Sequence, residues 1–405
     1  TLTKGSGMPS PLNNKRVVLG VTGSIACFKA ADLASKLVQN GALVDVILTS
    51  AATKFVTELT FRSITHRPVF TNLYSPESEI SINHVALAEA ADIIIVAPAT
   101  ANTIAKIANG ISDDVLTTTI LATTAPIIVA PAMDANMFDN PATQANVTTL
   151  ITRGIFIAGP ADGRLASGLI GKGRMVEPPD IISSANMVVG KDGDLSGKKI
   201  VVSAGGTEEA IDPVRNITNR SSGKMGYAIA EAARDRGAIV SLVAAPNALP
   251  KPVGILVTKI QSAEEMKKVI DTECDGADAL IMAAAVADWR PLEKLDSKAK
   301  KSTSDTWSLK LVKNPDIIGG IKNDSLIKVG FAAETEDLIE NSKIKIKSKN
   351  LDFIVANDIT AKDSGFSVDT NRVTIIHSNG NIESLPLMSK YDVAHSILDR
   401  VKSGF

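Results

Sequence analysis

Two parts of this 405-residue chain gather the residue types that hold phosphate. Residues 215–226 read RNITNRSSGKMG, with two arginines, a lysine, two glycines and paired serines directly ahead of a helical pattern. Glycine lets backbone approach a ligand closely, and serine hydroxyls with the open amides of a helix start can surround phosphate oxygens. The pattern GxxxxGKS/T is absent, so this is not a P-loop. Nearer the N-terminus, Thr22-Gly23-Ser24 closes an apolar run and offers the same elements at a second helix start. Residues 98–103 (PATANT) and 131–137 (PAMDANM) follow two further apolar runs with hydroxyls, amides and the carboxylate of Asp134. His84 opens another helical pattern, and an imidazole both takes and gives a proton near neutral pH. Further along, SAGGTEE (203–209), AAAVADW (283–289), the lysine run at 298–301, LVKNPD (311–316) and GFAAET (330–335) set charged and amide side chains at run ends. Taken singly, each is also what an ordinary capped helix start looks like.

These motifs need strands to aim them. Residues 16–21, 43–48, 93–97 and 127–130 are short and continuously apolar, as buried parallel strands are, with helical patterns such as 25–40 between them. The grammar restarts with strands at 199–203, 239–244, 279–283, 328–331 and 353–356, and a helix at 224–237. The reading is α/β, with two doubly wound Rossmann-like domains whose ligands belong at the carboxyl ends of the strands. Residues 1–14 are expected to be a flexible arm, 15–180 the first domain, 181–196 a linker and 197–405 the second domain. The proline pair and Gly/Asp-rich polarity of 177–197 carry the linker expectation.

Composition removes several classes. With 21% charged residues and a net charge of -1, no global field holds nucleic acid or an anionic membrane. Apolar runs fall well short of the ~20 residues a bilayer span needs, and no signal peptide is evident at the start, so a cytoplasmic location is expected. Cys27 and Cys274 are the only cysteines, which fits a reducing compartment and no cysteine-built metal site. A nicotinamide oxidoreductase would carry GxGxxG, and neither GVTGSIA nor SAGGTEE supplies it.

The ordered series GSIACFK, NHVALA, PATANT, PAMDANM and GLIGKGRM closely resembles the flavin-dependent cysteine decarboxylases, specifically phosphopantothenoylcysteine decarboxylase. The resemblance runs over residues 15 to 180 and implies a flavodoxin-like, FMN-binding domain. It implies FMN phosphate on the Gly23-Ser24 turn, with help from Thr49 or Ser50, Phe55, Thr100, Asn102 and Thr103. His84 would be the acid/base of cysteine oxidation, and Asp134 and Met137 would face the substrate. The substrate's thiol side would become a thioaldehyde, which delocalises the carbanion left by carboxylate loss, with flavin as electron sink. Two positions depart from the family pattern. Asp134 stands where asparagine is common, and Ser167 where a flexible clamp carries the cysteine associated with protonating the enethiol. A serine hydroxyl is a much weaker acid than a thiol of pKa ≈ 8.5. Decarboxylation is expected to survive, with Ser167, water or another group relaying the proton.

From residue 195 to about 400 the later motifs closely resemble phosphopantothenate-cysteine ligase. The resemblance implies a mostly parallel sheet, CTP as co-substrate and an acyl-cytidylate intermediate that cysteine's amine resolves. Asn219 would contact that intermediate, Asp288 would serve Mg²⁺ and nucleotide, and Lys298 would stabilise developing charge. Ser222, Lys224, Ala285, Lys313, Asn314, Pro315, Asp316, Phe331 and Asn357 would line the substrate pocket, while Lys300 and Lys301 read as solvated surface. Together the halves imply a bifunctional coenzyme A biosynthesis enzyme converting 4'-phosphopantothenate, cysteine and CTP to 4'-phosphopantetheine. The alternative is an active ligase fused to an FMN-binding regulatory domain with impaired decarboxylation. The families imply trimeric decarboxylase and dimeric ligase contacts, hence a homo-oligomer as large as a dodecamer.

Overall fold

A computed structural model describes residues 10–73, 83–299, 307–334, 338–358 and 368–405. Lys300, Lys301 and Thr335 lie outside these residues, as does the expected arm up to residue 9. The chain divides into two compact units, with the boundary between Gly190 and Lys191.

In the first unit the elements run β1 (Arg16–Val21), α1 (Cys27–Gln39), β2 (Leu43–Leu48), α2 (Glu58–Thr65), β3 (Val69–Phe70), α3 (Asn83–Ala90), β4 (Ile93–Ala99), α4 (Ala101–Asn109), α5 (Val115–Ala122), β5 (Ile127–Pro131), α6 (Ala135–Asp139), α7 (Pro141–Thr152) and β6 (Phe156–Ile157). The six strands form a parallel sheet in the order β3-β2-β1-β4-β5-β6. The strand order reverses between β1 and β4, the point where such sheets open a crevice. Strand β4 explains why these runs read as unbroken apolar sequence: Ile93 and Ile95 enter one core cluster, while Ile94 and Val96 enter the other. Both faces are covered, so every side chain is buried.

After β6 come an antiparallel hairpin, β7 (Ala161–Arg164) and β8 (Ile170–Arg174), and the helix α8 (Pro178–Gly190). This helix corrects the expected linker. Its prolines occupy the first turn, where a missing N–H costs nothing, and Ile181, Ile182 and Ala185 enter the core beside α1 residues Leu33 and Leu37. The described end of the expected arm is likewise packed: residues 11–14 form a turn and Leu12 is fully buried.

The second unit contains β9 (Lys199–Ala204), β10 (Glu208–Ala210), β11 (Asn216–Thr218), α9 (Lys224–Arg234), β12 (Ile239–Ala244), β13 (Leu256–Lys259), α10 (Ala263–Glu273), β14 (Ala279–Met282), β15 (Trp289–Pro291), β16 (Leu311–Lys313), β17 (Ile327–Glu334), α11 (Leu338–Lys349), β18 (Phe353–Asp358), β19 (Thr370–Asn371), β20 (Val373–His377), β21 (Ile382–Ser384), β22 (Met388–Ser389) and α12 (Lys390–Lys402). Its sheet runs β13-β12-β9-β14-β17-β18-β20-β21. Pairing is parallel as far as β18, then antiparallel at β20 and β21. The switch point falls between β9 and β14. Two-stranded ribbons β10-β11, β15-β16 and β19-β22 stand apart from the sheet. Among the described residues no helix is long and apolar enough to cross a membrane.

Candidate active sites

Hydroxyls lace the carboxyl edge of the first sheet together. Thr22, buried just past β1, donates from Oγ1 to Pro98 O at 2.7 Å and accepts from Thr100 N at 3.0 Å. The turns after β1 and β4 are thereby fixed side by side. Thr49 N donates to Val21 O at 3.1 Å, which brings the turn after β2 to the same edge. Gly23 has no alternative there, because an added Cβ would stand 2.4 Å from Ala51 Cβ. Thr100 caps α4, its Oγ1 accepting from Thr103 N at 3.3 Å. Gly23, Ser24, Thr49, Ser50, Thr100, Asn102 and Thr103 therefore share one strip beside the starts of α1 and α4. Phe55 and Met137 are exposed, on the short turn after β2 and on α6.

A cleft of about 410 Å³ adjoins this strip at Ser24. Its walls are the first turn of α1, the 132–134 loop after β5 and the β7-β8 hairpin. The hairpin is held to that loop by Met133 N donating to Gly173 O at 2.9 Å and by Ser167 Oγ donating to Asp134 Oδ2 at 2.6 Å. The two positions that depart from the family pattern are thus bonded to each other. Asp134 Oδ1 also accepts from Asn136 N at 3.0 Å, capping α6. Lys29, which the sequence did not single out, lines the cleft and reaches Met175 O at 3.1 Å and Glu177 at 2.9 Å. Hydrogen bonds from Lys29 and then Arg174 hold the Glu177 carboxyl below its usual range. His84 sits half-buried in the first turn of α3 and does not line this cleft. Burial pushes the Cys27 thiol up and the Cys274 thiol to about 12, so neither offers a ready thiolate. A glycine-tight turn ringed by hydroxyls and helix-start amides, opening on a cleft with Phe28, Met133, Leu165 and Met175, fits a phosphate tail carrying a flat ring.

In the second unit the loops after β9 and β14 are laced in the same way. Ala285 N donates to Gly205 O at 2.8 Å, Ala284 N to Ser203 Oγ at 3.1 Å and Ala287 N to Thr207 Oγ1 at 3.0 Å. The RNITNRSSGKMG stretch joins them through Asn219 Nδ2, which donates to Val286 O at 3.0 Å. Gly206 permits this approach: its added Cβ would lie 2.6 Å from Asn219 O. Upstream, the buried Asp212 carboxylate accepts from the backbone amides of Val214, Arg215 and Ala299 at 2.8, 2.9 and 3.1 Å. Burial pulls its pKa upward, but these bonds outweigh it and leave the carboxyl below its ordinary value.

Two clefts of about 430 and 440 Å³ adjoin here and share Ala284, Val286 and Phe331. Asn219, Ser222, Lys224, Ala285 and Asn357 line the first, and Asp288, Lys313, Asn314, Pro315 and Asp316 the second. Asn314 is fixed by its Nδ2 donating to Ala287 O at 2.8 Å, and Asp316 pairs with Lys349 at 3.0 Å. Lys298 is exposed and lines neither cleft, although its neighbour Ala299 accepts from Arg215 Nη2 at 2.8 Å. Lys390 and Asn371 line the 430 Å³ cleft and were missed. The available signal was a lysine directly after a serine helix cap, where the helix dipole disfavours a cation. Among the described residues no group of three His, Cys, Asp or Glu could hold a metal ion.

Two doubly wound sheets, each with anion-holding turns at its carboxyl edge, define a two-site α/β enzyme of phosphate and nucleotide chemistry. Residues 6–190 match the Flavoprotein family model, and residues 195–405 match the DNA/pantothenate metabolism flavoprotein C-terminal domain. The Coenzyme A biosynthesis bifunctional protein CoaBC of Bacillus subtilis strain 168 is 46% identical over 395 residues, covering 96% of this chain and 97% of that protein. Its Escherichia coli K12 counterpart is 40% identical over 399 residues, covering 97% of this chain and 98% of the other. A crystal structure of the C-terminal domain of a CoaBC protein is 38% identical and covers 52% of this chain and 97% of its own, with a TM-score of 0.45. The chain belongs to this family of bifunctional coenzyme A biosynthesis proteins. It is an enzyme with a decarboxylase in its flavoprotein half and a ligase in the other.

Proposed function

We propose that the ligase half joins 4'-phosphopantothenate to cysteine using CTP, and that the flavoprotein half binds FMN and decarboxylates the resulting 4'-phosphopantothenoylcysteine to 4'-phosphopantetheine. The observation that carries the reading is the shared wall of the two ligase clefts at Ala284, Val286 and Phe331. Two substrates in adjoining clefts meet at that wall. There a carboxylate oxygen attacks the α-phosphorus, pyrophosphate leaves, and cysteine's amine then displaces CMP from the acyl carbon with loss of a proton. Asn219, whose side chain is bonded to Val286 O, would hold the acyl-cytidylate at the junction. Asp288 would hold Mg²⁺, which takes few carboxylates and mostly phosphate oxygens. Lys298 would reach the site by movement of its exposed segment next to the anchor at Ala299.

In the flavoprotein half the hydroxyl strip from Ser24 to Thr103 would hold the FMN phosphate. FMN, when bound, supplies the electron sink for oxidising the thiol side of the substrate. Ser167 would pass a proton toward the enethiol, with Asp134 orienting its hydroxyl. His84 would exchange the substrate proton; standing outside its own unit's cleft, it fits a trimer in which it serves a neighbouring copy. Dimeric ligase contacts would complete a larger homo-oligomer. The buried thiols suit the cytoplasm, where we place the chain.

Incubating the full chain with 4'-phosphopantothenate, cysteine, CTP and Mg²⁺ and weighing the products tests both halves. Pyrophosphate, CMP, carbon dioxide and 4'-phosphopantetheine are expected from a yellow protein. Accumulation of 4'-phosphopantothenoylcysteine would overturn the decarboxylase reading, and no CTP-dependent product would overturn the ligase reading.

A further inference from the structure

Lys390 begins α12, yet it is only 6% exposed and lines the 430 Å³ cleft. The β19-β22 ribbon puts it there: Thr370 pairs with Ser389 and Asn371 with Met388, and Ser389 then caps α12 by accepting from Asp392 N at 3.1 Å. Lys390 N donates to Asp369 O at 2.9 Å and its Nζ to Val368 O. The ammonium is thereby strapped against the cleft wall beside the fully committed amide of Asn371, which donates to Asn357 Oδ1 at 3.1 Å.

This is an unfavourable place for a cation. Burial removes its water, the positive end of the α12 dipole lies at its own residue, and Lys224 opens α9 on the same cleft. Burial first, then Lys224, pull the Lys390 pKa below its ordinary value, while Asp369 acts the other way. Asp369 itself is 88% exposed and pairs with Lys224 at 2.7 Å. Two lysines and two helix starts, α9 and α12, thus converge on one cleft. An anion entering the cleft would meet both ammonium groups and the two helix starts, where charge-assisted hydrogen bonds are the strong ones.

We propose that Lys390 is a further substrate-binding residue of the ligase, whose ammonium, with Lys224 and Ser222, receives a phosphoryl group in the 430 Å³ cleft. The inference rests on the ligase reading above. The phosphoryl group belongs either to the phosphate ester of the pantothenate substrate or to the nucleotide, and one experiment separates them.

Dissociation constants are measured by calorimetry on the full chain and on Lys390→Met, for 4'-phosphopantothenate against pantothenate and for CTP against cytidine. Losing one charge-assisted contact is expected to weaken one phosphorylated ligand by roughly tenfold to a hundredfold, leaving its phosphate-free counterpart unchanged. The ligand that weakens identifies the source. If wild-type protein binds both phosphorylated ligands and the variant binds them equally well, Lys390 is a strap on Val368 and the inference falls alone. If wild-type protein binds neither, the ligase reading falls and takes the inference with it. Should the variant fail to fold, acetylation of the wild-type chain decides: protection of Lys390 by either ligand, with the exposed Lys402 as internal standard, supports the inference, and equal labelling with and without both ligands overturns it.

Discussion

One methyl group at Gly206 interrogates the ligase clefts while leaving the flavoprotein half as an internal control. In Gly206→Ala the new Cβ would lie 2.6 Å from Asn219 O, with Thr218 Oγ1 and Ser221 Cβ next at 3.4 and 3.5 Å. A comfortable carbon–oxygen contact begins near ~3.3 Å, so the Asn219 carbonyl must retreat by about 0.7 Å. Asn219 cannot retreat alone, because its side chain is bonded to Val286 O, on the wall the two clefts share. Overpacking of this kind costs about 1–3 kcal/mol of stability. A displacement approaching ~1 Å between reacting groups lowers turnover about a hundredfold. The assay follows CTP-dependent pyrophosphate release, with flavin absorbance and decarboxylation of supplied 4'-phosphopantothenoylcysteine recorded on the same sample. The expected outcome is a ligase loss near a hundredfold with the second activity intact. Ligation within twofold of wild type would refute the junction argument, and parallel loss of both activities would replace it with general unfolding.

Two further outcomes follow from other parts of the molecule. Restoring the family pair with Ser167→Cys and Asp134→Asn supplies a stronger acid in the clamp, and reduction of the enethiol to 4'-phosphopantetheine is expected to speed up about tenfold or more; an unchanged rate of thiol product formation would remove Ser167 from the proton path. His395 is buried, its Nε2 has no hydrogen-bond partner among the described residues, and burial followed by the Arg236 charge lowers its pKa from 6.5 to about 4. The folded state therefore resists protonation more than the unfolded state does, so the contribution is full above pH 6.5 and is lost as pH falls toward 4. Between pH 7 and 5 this removes about 2 kcal/mol. His395→Phe keeps the ring packed on Tyr391 and should abolish that loss; urea unfolding at both pH values measures it, and an identical pH dependence in the variant contradicts the assignment.

The legible parts of the fold were those where one local signal sufficed. Strands β1, β2 and β12 could be read to the residue because both their faces are buried, leaving unbroken apolar runs between polar stops. The hydroxyl and glycine turns were legible for the same reason, since they follow directly on those runs. The β7-β8 hairpin, spelled ADGRLASGLIGKGR, was opaque because its strands are short, polar and glycine-rich, with no buried face to impose alternation. Helix α8 was misread because a proline pair signals a break in mid-helix but is tolerated at a helix start. Among site residues, eleven second-half candidates do line the two clefts, whereas Lys298 does not. Lys390 and Asn371 escaped notice because they come to the cleft from about 150 residues beyond the serine-glycine stretch they face, a separation no local pattern spans.

Helix α8 also constrains how this chain can be born. The core that opens with Leu12 is finished only by Ile181, Ile182 and Ala185. A nascent chain still short of those residues leaves Leu33 and Leu37 on α1 without their final cover. Domains tend to close as units while synthesis proceeds, and here the closing piece is the last helix before the ligase sequence begins. The flavoprotein half thus completes itself on the ribosome as its neighbour starts to emerge, and a chain cut short before Pro178 leaves the apolar face of α1 open to water.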